Sequence, residues 1–147
     1  MARTGGCQCG AVRYRLDAEP VGSNVCHCRM CQKAGGGPFM AFAGATTATL
    51  TWTRGAPKVF ASSDFAERGF CAACGTPLTY AVRGRDRIAV TIGSLDKPGE
   101  VAPVKQFGVD AKLPWLDTIS SLPARDFTDA LGPDFRMHSR QHPDHDS

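Results

Sequence analysis

The chain has 147 residues, 42% of them hydrophobic and 21% charged, the size and makeup of one globular domain with a sizeable core. Its 17 basic and 14 acidic residues leave a formal charge of +3, too slight a bias to argue for nucleic acid, and no apolar run is long enough to span a bilayer. The opening Met1-Ala2-Arg3-Thr4-Gly5-Gly6-Cys7 carries no apolar signal segment, so the expected location is the cytoplasm, where thiols stay reduced.

In chain order, Cys7-Gln8-Cys9 comes first, read as positions i and i+2 of a strand, which turns both sulfurs to one side. Alternation then predicts a strand through Val12, Tyr14 and Leu16. The cluster Cys26-His27-Cys28-Arg29-Met30-Cys31 follows, with one short helical turn expected after Cys28. Strands are predicted at 39–43, 48–53, 58–61, 78–82 and 88–92 from β-branched and aromatic content. Gly35-Gly36-Gly37-Pro38, Gly55-Ala56-Pro57 and Lys97-Pro98-Gly99 mark the turns between segments, and a second helical turn is expected at 114–119. The class is mainly β, a twisted antiparallel sheet system. Residues 1–125 are expected to form one domain that holds all seven cysteines and 126–147 a C-terminal extension, mobile from about Arg136, where polar residues show no apolar period. Its histidines His138, His142 and His145 are expected to be solvated, because disordered ligands lose entropy on chelating.

Seven cysteines cannot all pair as disulfides, and their spacings of two and three suit metal ions. Zinc takes four thiolates in a closed structural site, or three protein ligands with one open position. Seven divides as four plus three. Cys7 and Cys9 join Cys71 and Cys74 in the closed site, where the two-residue gap of Cys71-Ala72-Ala73-Cys74 and the following Gly75 suit a metal-binding turn. Cys26, Cys28 and Cys31 then make the open site. A rival partition joins Cys28 and Cys31 to Cys71 and Cys74 as a zinc ribbon. It leaves Cys7, Cys9 and Cys26 unused, and 39 residues separate Cys31 from Cys71, where ribbons have about 15 to 20. Three thiolates on a dication carry net charge minus one, which makes the ion a poor activator of water and a better holder of an incoming thiol.

Other candidates have plainer readings. Alternation points His27 away from Cys26 and Cys28, as a spacer. The glycines 35–37 lack the lysine and serine or threonine of a phosphate loop and read as a flexible rim. Trp52, Phe60, Phe65 and Phe70 are expected in the core, and Arg29, Lys33 and Ser94 as surface or turn residues.

Gly6-Cys7-Gln8-Cys9-Gly10-Ala11-Val12-Arg13-Tyr14, Cys26-His27-Cys28 with Cys31-Gln32-Lys33, Arg68-Gly69-Phe70-Cys71 through Cys74-Gly75-Thr76-Pro77-Leu78, and Gly93-Ser94-Leu95-Asp96 together resemble the glutathione-dependent formaldehyde-activating enzyme family, which includes centromere protein V. The resemblance spans about residues 5 to 120. It implies a compact zinc-bound antiparallel β fold shared with methionine sulfoxide reductase B and a Rab exchange factor. It also implies two zinc ions, with Cys7, Cys9, Cys71 and Cys74 as structural ligands and Cys26, Cys28 and Cys31 as the catalytic set. The implied activity is that of a carbon-sulfur lyase handling a thiol adduct of an aldehyde, S-hydroxymethylglutathione in the founding case. Members commonly carry a histidine shortly before the tryptophan, and none lies between Pro103 and Trp115 here. The alternative is a non-catalytic zinc module that binds another protein. A methionine sulfoxide reductase is excluded, since no cysteine follows Cys74.

Overall fold

The computed structural model describes residues 1–145. Ten strands form two sheets: β1 (Arg3–Gly6), β2 (Arg13–Leu16) and β5 (Leu50–Arg54) make a small antiparallel sheet in that order. The larger sheet runs β10 (Lys105–Phe107), β3 (Asn24–Cys26), β4 (Met40–Ala45), β9 (Ile88–Thr91), β8 (Pro77–Val82), β7 (Ala66–Phe70), β6 (Lys58–Ala61). The mainly β class is as expected, with one exception to antiparallel pairing: β10 lies parallel to β3, with Phe107 opposite Cys26. Two short α-helices, α1 (Arg29–Gly35) and α2 (Phe127–Leu131), and several 3-10 turns complete the chain.

Alternation in β2 works as read: Tyr14 and Leu16 are fully buried, each worth about 1.5–3 kcal/mol on the hydrophobic scale. They pack with Ala43, Leu78, Val90 and Leu95 in a core shared by both sheets, and Trp52 meets the Tyr14 ring edge-on at 5.8 Å. Cys7 and Cys71 belong to this core. Arg13 is also buried, at 2% exposure, because its guanidinium pairs with Asp96 at 2.6 Å. A second cluster, Cys31, Met40 and Phe42 with Cys26, Cys28, Tyr80 and Ala89 against it, occupies a different part of the large sheet.

Several expectations need correction. Cys7 and Cys9 are not in a strand, since β1 ends at Gly6 and they form the turn that follows. The strand expected at 48–53 begins at Leu50, after a 3-10 turn at Thr47–Thr49, and that at 88–92 gives way to a 3-10 turn from Ile92. Phe60 and Phe65 are exposed at 62% and 55%, because β6 is an edge strand with no layer above it and Phe65 lies in the β6–β7 turn. Ser94 is buried, with its hydroxyl 2.8 Å from that of Tyr14. From Arg136 onward the described residues form no regular element, and the His142 N–H donates to the Gln8 carbonyl at 2.7 Å. Among the described residues no helix is long and apolar enough to cross a membrane.

Candidate metal centres

Two turns build the four-cysteine group. The first follows β1: the Cys7 N–H donates to the Val12 carbonyl, and the Val12 N–H returns to Cys7 Sγ at 3.2 Å. The second follows β7: the Gly75 N–H donates to the Cys71 carbonyl at 2.9 Å, and Gly75 takes φ of +79°, where a side chain would strain the turn. The Gln8 N–H donates to Thr76 Oγ1 at 3.0 Å and locks one turn to the other. The sulfurs of Cys7, Cys9, Cys71 and Cys74 all lie within 4.8 Å of one another, with Cys7–Cys9 at 3.5 Å and Cys9–Cys71 at 3.9 Å. A tetrahedron with metal–sulfur bonds of about 2.3 Å has an edge of about 3.8 Å. These separations match that edge and are far too long for a disulfide.

The three-cysteine group sits where β3 runs into α1. Cys26 ends β3 and Cys28 caps α1, with its Sγ accepting the Cys31 N–H at 3.4 Å. Cys31 projects from the helix into the protein, and all three sulfurs fall within 4.8 Å of one another. Gln32, beside it and buried, donates through Nε2 to the carbonyls of His27 and Ala111 at 2.7 and 2.9 Å. The segment after β10 closes over Cys28: Gly108 has φ of +62°, and a Cβ there would stand 2.8 Å from the Cys28 nitrogen. His27 lies outside the group, with its Nε2 2.9 Å from Gln106 Oε1 and its ring edge-on to Phe39. The tail histidines join neither group. The ribbon partition is thereby set aside, since Cys28 and Cys31 gather with Cys26 and apart from Cys71 and Cys74.

One side chain that sequence reasoning left without a role organises this centre. Arg68, on β7 and only 7% exposed, donates from Nη2 to Cys31 Sγ at 3.3 Å and from Nε to Ser62 Oγ at 2.9 Å. Its guanidinium also lies 5.1 Å from the Tyr80 ring centroid. Among the described residues no carboxylate pairs with it. A buried cation without a counter-charge is costly, and a thiolate at the sulfur it faces would offset that cost. Without a metal, burial pushes the Cys31 thiol up to about 12, with Arg68 pulling the other way. Burial also opposes ionisation of Cys28, but the Cys31 N–H and the neighbouring thiols outweigh it and hold Cys28 low. At the other centre, burial likewise opposes ionisation of Cys74, yet the Thr76 hydroxyl and N–H bring it down to about 6. Sulfurs at tetrahedral spacing, N–H groups aimed at them and a buried guanidinium at one corner all fit a bound metal ion at each group.

Comparison with known proteins agrees with this geometry. The chain is 38% identical over 77 residues to an uncharacterized lyase of Schizosaccharomyces pombe, an alignment covering 52% of this chain and 56% of that protein, little more than half its length. A crystal structure of a Rhodobacter sphaeroides protein superposes with a TM-score of 0.55 at 23% identity, covering 70% of this chain and 98% of the other, a likeness of fold. The family model for the glutathione-dependent formaldehyde-activating enzyme matches residues 2–110, which span both cysteine groups, Arg68 and Gly108, and the chain belongs to that family.

Proposed function

We propose that the protein is a zinc-dependent enzyme of the carbon-sulfur lyase type, which adds a small thiol to the carbonyl carbon of an aldehyde or similar electrophile and reverses that addition. Glutathione is the favoured thiol, supported by the family; the lyase name of the yeast relative supports the reaction class. Cys7, Cys9, Cys71 and Cys74 hold the structural ion, and Cys26, Cys28 and Cys31 the catalytic one. The observation that carries this reading is the buried Arg68 guanidinium against Cys31 Sγ, which marks the three-cysteine group as an anionic centre.

Zinc held by Cys26, Cys28 and Cys31 would favour the thiolate form of an incoming thiol. Three thiolates exceed the charge of a dication by one, and Arg68 offsets that excess. An incoming thiol can therefore lose its proton beside Cys26, Cys28 and Cys31 without the centre reaching a charge of minus two. Gln32 and Gly108 keep the helix start and the covering segment in register, so the three sulfurs need not reorganise when the thiol arrives. Reduced cysteines in both groups suit the cytoplasm. Neither nucleic acid nor membrane is a proposed partner.

The roles separate by mutation. Cys71→Ser should lower Tm sharply and release one zinc. Cys28→Ser should leave Tm within a few degrees while abolishing glutathione-dependent turnover of formaldehyde, read by calorimetric melting, metal analysis and product formation. If Cys28→Ser unfolds the protein as severely as Cys71→Ser, the division is wrong. Full zinc loading with no response to any thiol and aldehyde pair would favour the interaction module instead.

A further inference from the structure

Gln8 lies between two cysteines of the four-cysteine group, and both of its main-chain polar groups are held. Its N–H donates to Thr76 Oγ1 at 3.0 Å, just past the turn that carries Cys71 and Cys74. Its carbonyl accepts the His142 N–H at 2.7 Å, from the C-terminal segment. That segment makes further contacts at the same place. Arg13, 2% exposed, donates from Nη2 to the His145 carbonyl at 2.6 Å while the same guanidinium holds Asp96. Gly10 takes φ of +77° directly beneath His142, where a Cβ would stand 2.5 Å from the imidazole Cδ2. The segment is also folded on itself: Gln141 Nε2 donates to Asp144 Oδ2 at 3.3 Å, and the rings of His142 and His145 stand 5.4 Å apart. Gln141, His142 and Asp144 wall a cavity of about 100 Å³ together with Cys7, Gln8 and Thr76.

The contacts fall on the part of the group that must move if an ion is to leave it. Cys7 and Cys71 are buried, whereas Cys9 and Cys74 are exposed. A competing ligand from solvent therefore approaches on the Cys9 and Cys74 side. Release requires a cysteine sulfur to swing away, and Cys9 swings only if the Cys7–Gly10 turn opens. The Gly10 N–H closes that turn on the Cys7 carbonyl at 3.0 Å. Opening it rotates the Gln8 peptide, which Thr76 holds by the N–H and His142 by the carbonyl. Local opening of this kind is set by the hydrogen bonds that must break together. The family model stops at residue 110, so the His142 restraint comes from outside the matched region.

We propose that residues 141–145 form a strap that keeps the Cys7–Gly10 turn closed and slows exchange of the metal ion at the four-cysteine group. The strap supplies no ligand. It acts through the Gln8 carbonyl, the Gly10 surface and the Arg13 anchor, so it raises the barrier to opening and leaves the coordination as it is. Retention of the ion that holds the fold is thereby tied to the C-terminal segment. The inference rests on an ion being held by Cys7, Cys9, Cys71 and Cys74, and not on the thiol-addition reading.

The test loads the full chain with NMR-active cadmium, which gives separate resonances for an ion on four sulfurs and an ion on three, and follows each after addition of excess EDTA. His142→Pro deletes the N–H that holds Gln8. It should speed loss of the four-sulfur resonance by about five-fold or more, the scale of one hydrogen bond. His142→Ala keeps the N–H and removes the ring over Gly10, and should give a smaller acceleration. His138→Pro, in the same segment but upstream of these contacts, should match wild type. Decay of the three-sulfur resonance should be the same in all four proteins. A wild-type rate in His142→Pro overturns the strap, as does an acceleration that both resonances share or that His138→Pro reproduces. Wild-type protein with no four-sulfur resonance overturns the strap together with the structural-site assignment.

Discussion

Arg68 concentrates the chemistry of the three-cysteine group in one side chain. Hydrogen bonds around a metal set the charge on its ligands, and their loss typically lowers metal affinity by about 10- to 100-fold. Arg68→Met keeps much of the volume and removes the charge and the donor to Cys31 Sγ. Zinc affinity at the three-cysteine group should fall by about that factor, read by competition with a chromophoric chelator, while the four-cysteine group keeps its ion. Arg68→Lys should recover part of the loss, because a point charge replaces the fork. An Arg68→Met variant with unaltered zinc affinity would remove the argument for charge compensation. Sequence inspection found both cysteine groups, since their spacing points to metal binding. It missed Arg68, because an arginine three residues before a cysteine gives no sign of whether it faces solvent or sulfur.

At the scale of elements, the Arg13–Asp96 pair ties β2 to the segment just past the 3-10 turn that follows β9. The carboxylate also accepts from Thr4 Oγ1 on β1 at 2.5 Å. Burial pushes the Asp96 carboxyl up, but the hydrogen bonds from Arg13 and Thr4 and the Arg13 charge hold it below the ordinary aspartate value. A folded carboxyl that is more acidic than the unfolded one stabilises the protein above the unfolded value. That contribution is lost as pH falls through the folded one. Asp96→Asn should therefore cost about 3 kcal/mol at neutral pH, the scale of breaking a buried pair. The gap from wild type should close on acidification below about pH 4 in denaturant titrations. A gap constant down to pH 2 would contradict it. Among strands, β2, β4, β5, β6, β8 and β9 were readable from alternation and β-branched content. β3 and β10 are three residues long, too short to show a period. β1 and β7 hide because most of their buried positions are occupied by Gly5, Gly6, Arg68 and Gly69; a Cβ on Gly5 would stand 2.5 Å from the Tyr14 hydroxyl. Such residues carry no hydrophobic signal.

At the scale of the whole molecule, the four-cysteine group brings the β1–β2 turn against the β7–β8 turn, and an ion held there would clamp both sheets around one core. Closing a chain segment of this length contributes about 4 kcal/mol on the loop-entropy scale, so a strong chelator should lower Tm by on the order of 10 °C or more. Zinc alone should restore it. A Tm insensitive to chelation at full metal removal would show that the core holds the fold without the ion. The sequence by itself determined the mainly β class, the two cysteine groups and the family, because short-range spacing and an ordered set of motifs record local chemistry. Only the tertiary structure decided that Cys7 and Cys9 lie in a turn, that Phe60 is exposed on an edge strand and that Arg68 stands against Cys31. Those facts depend on which strands become neighbours, and strand pairing joins residues far apart in the chain whose proximity no local pattern encodes.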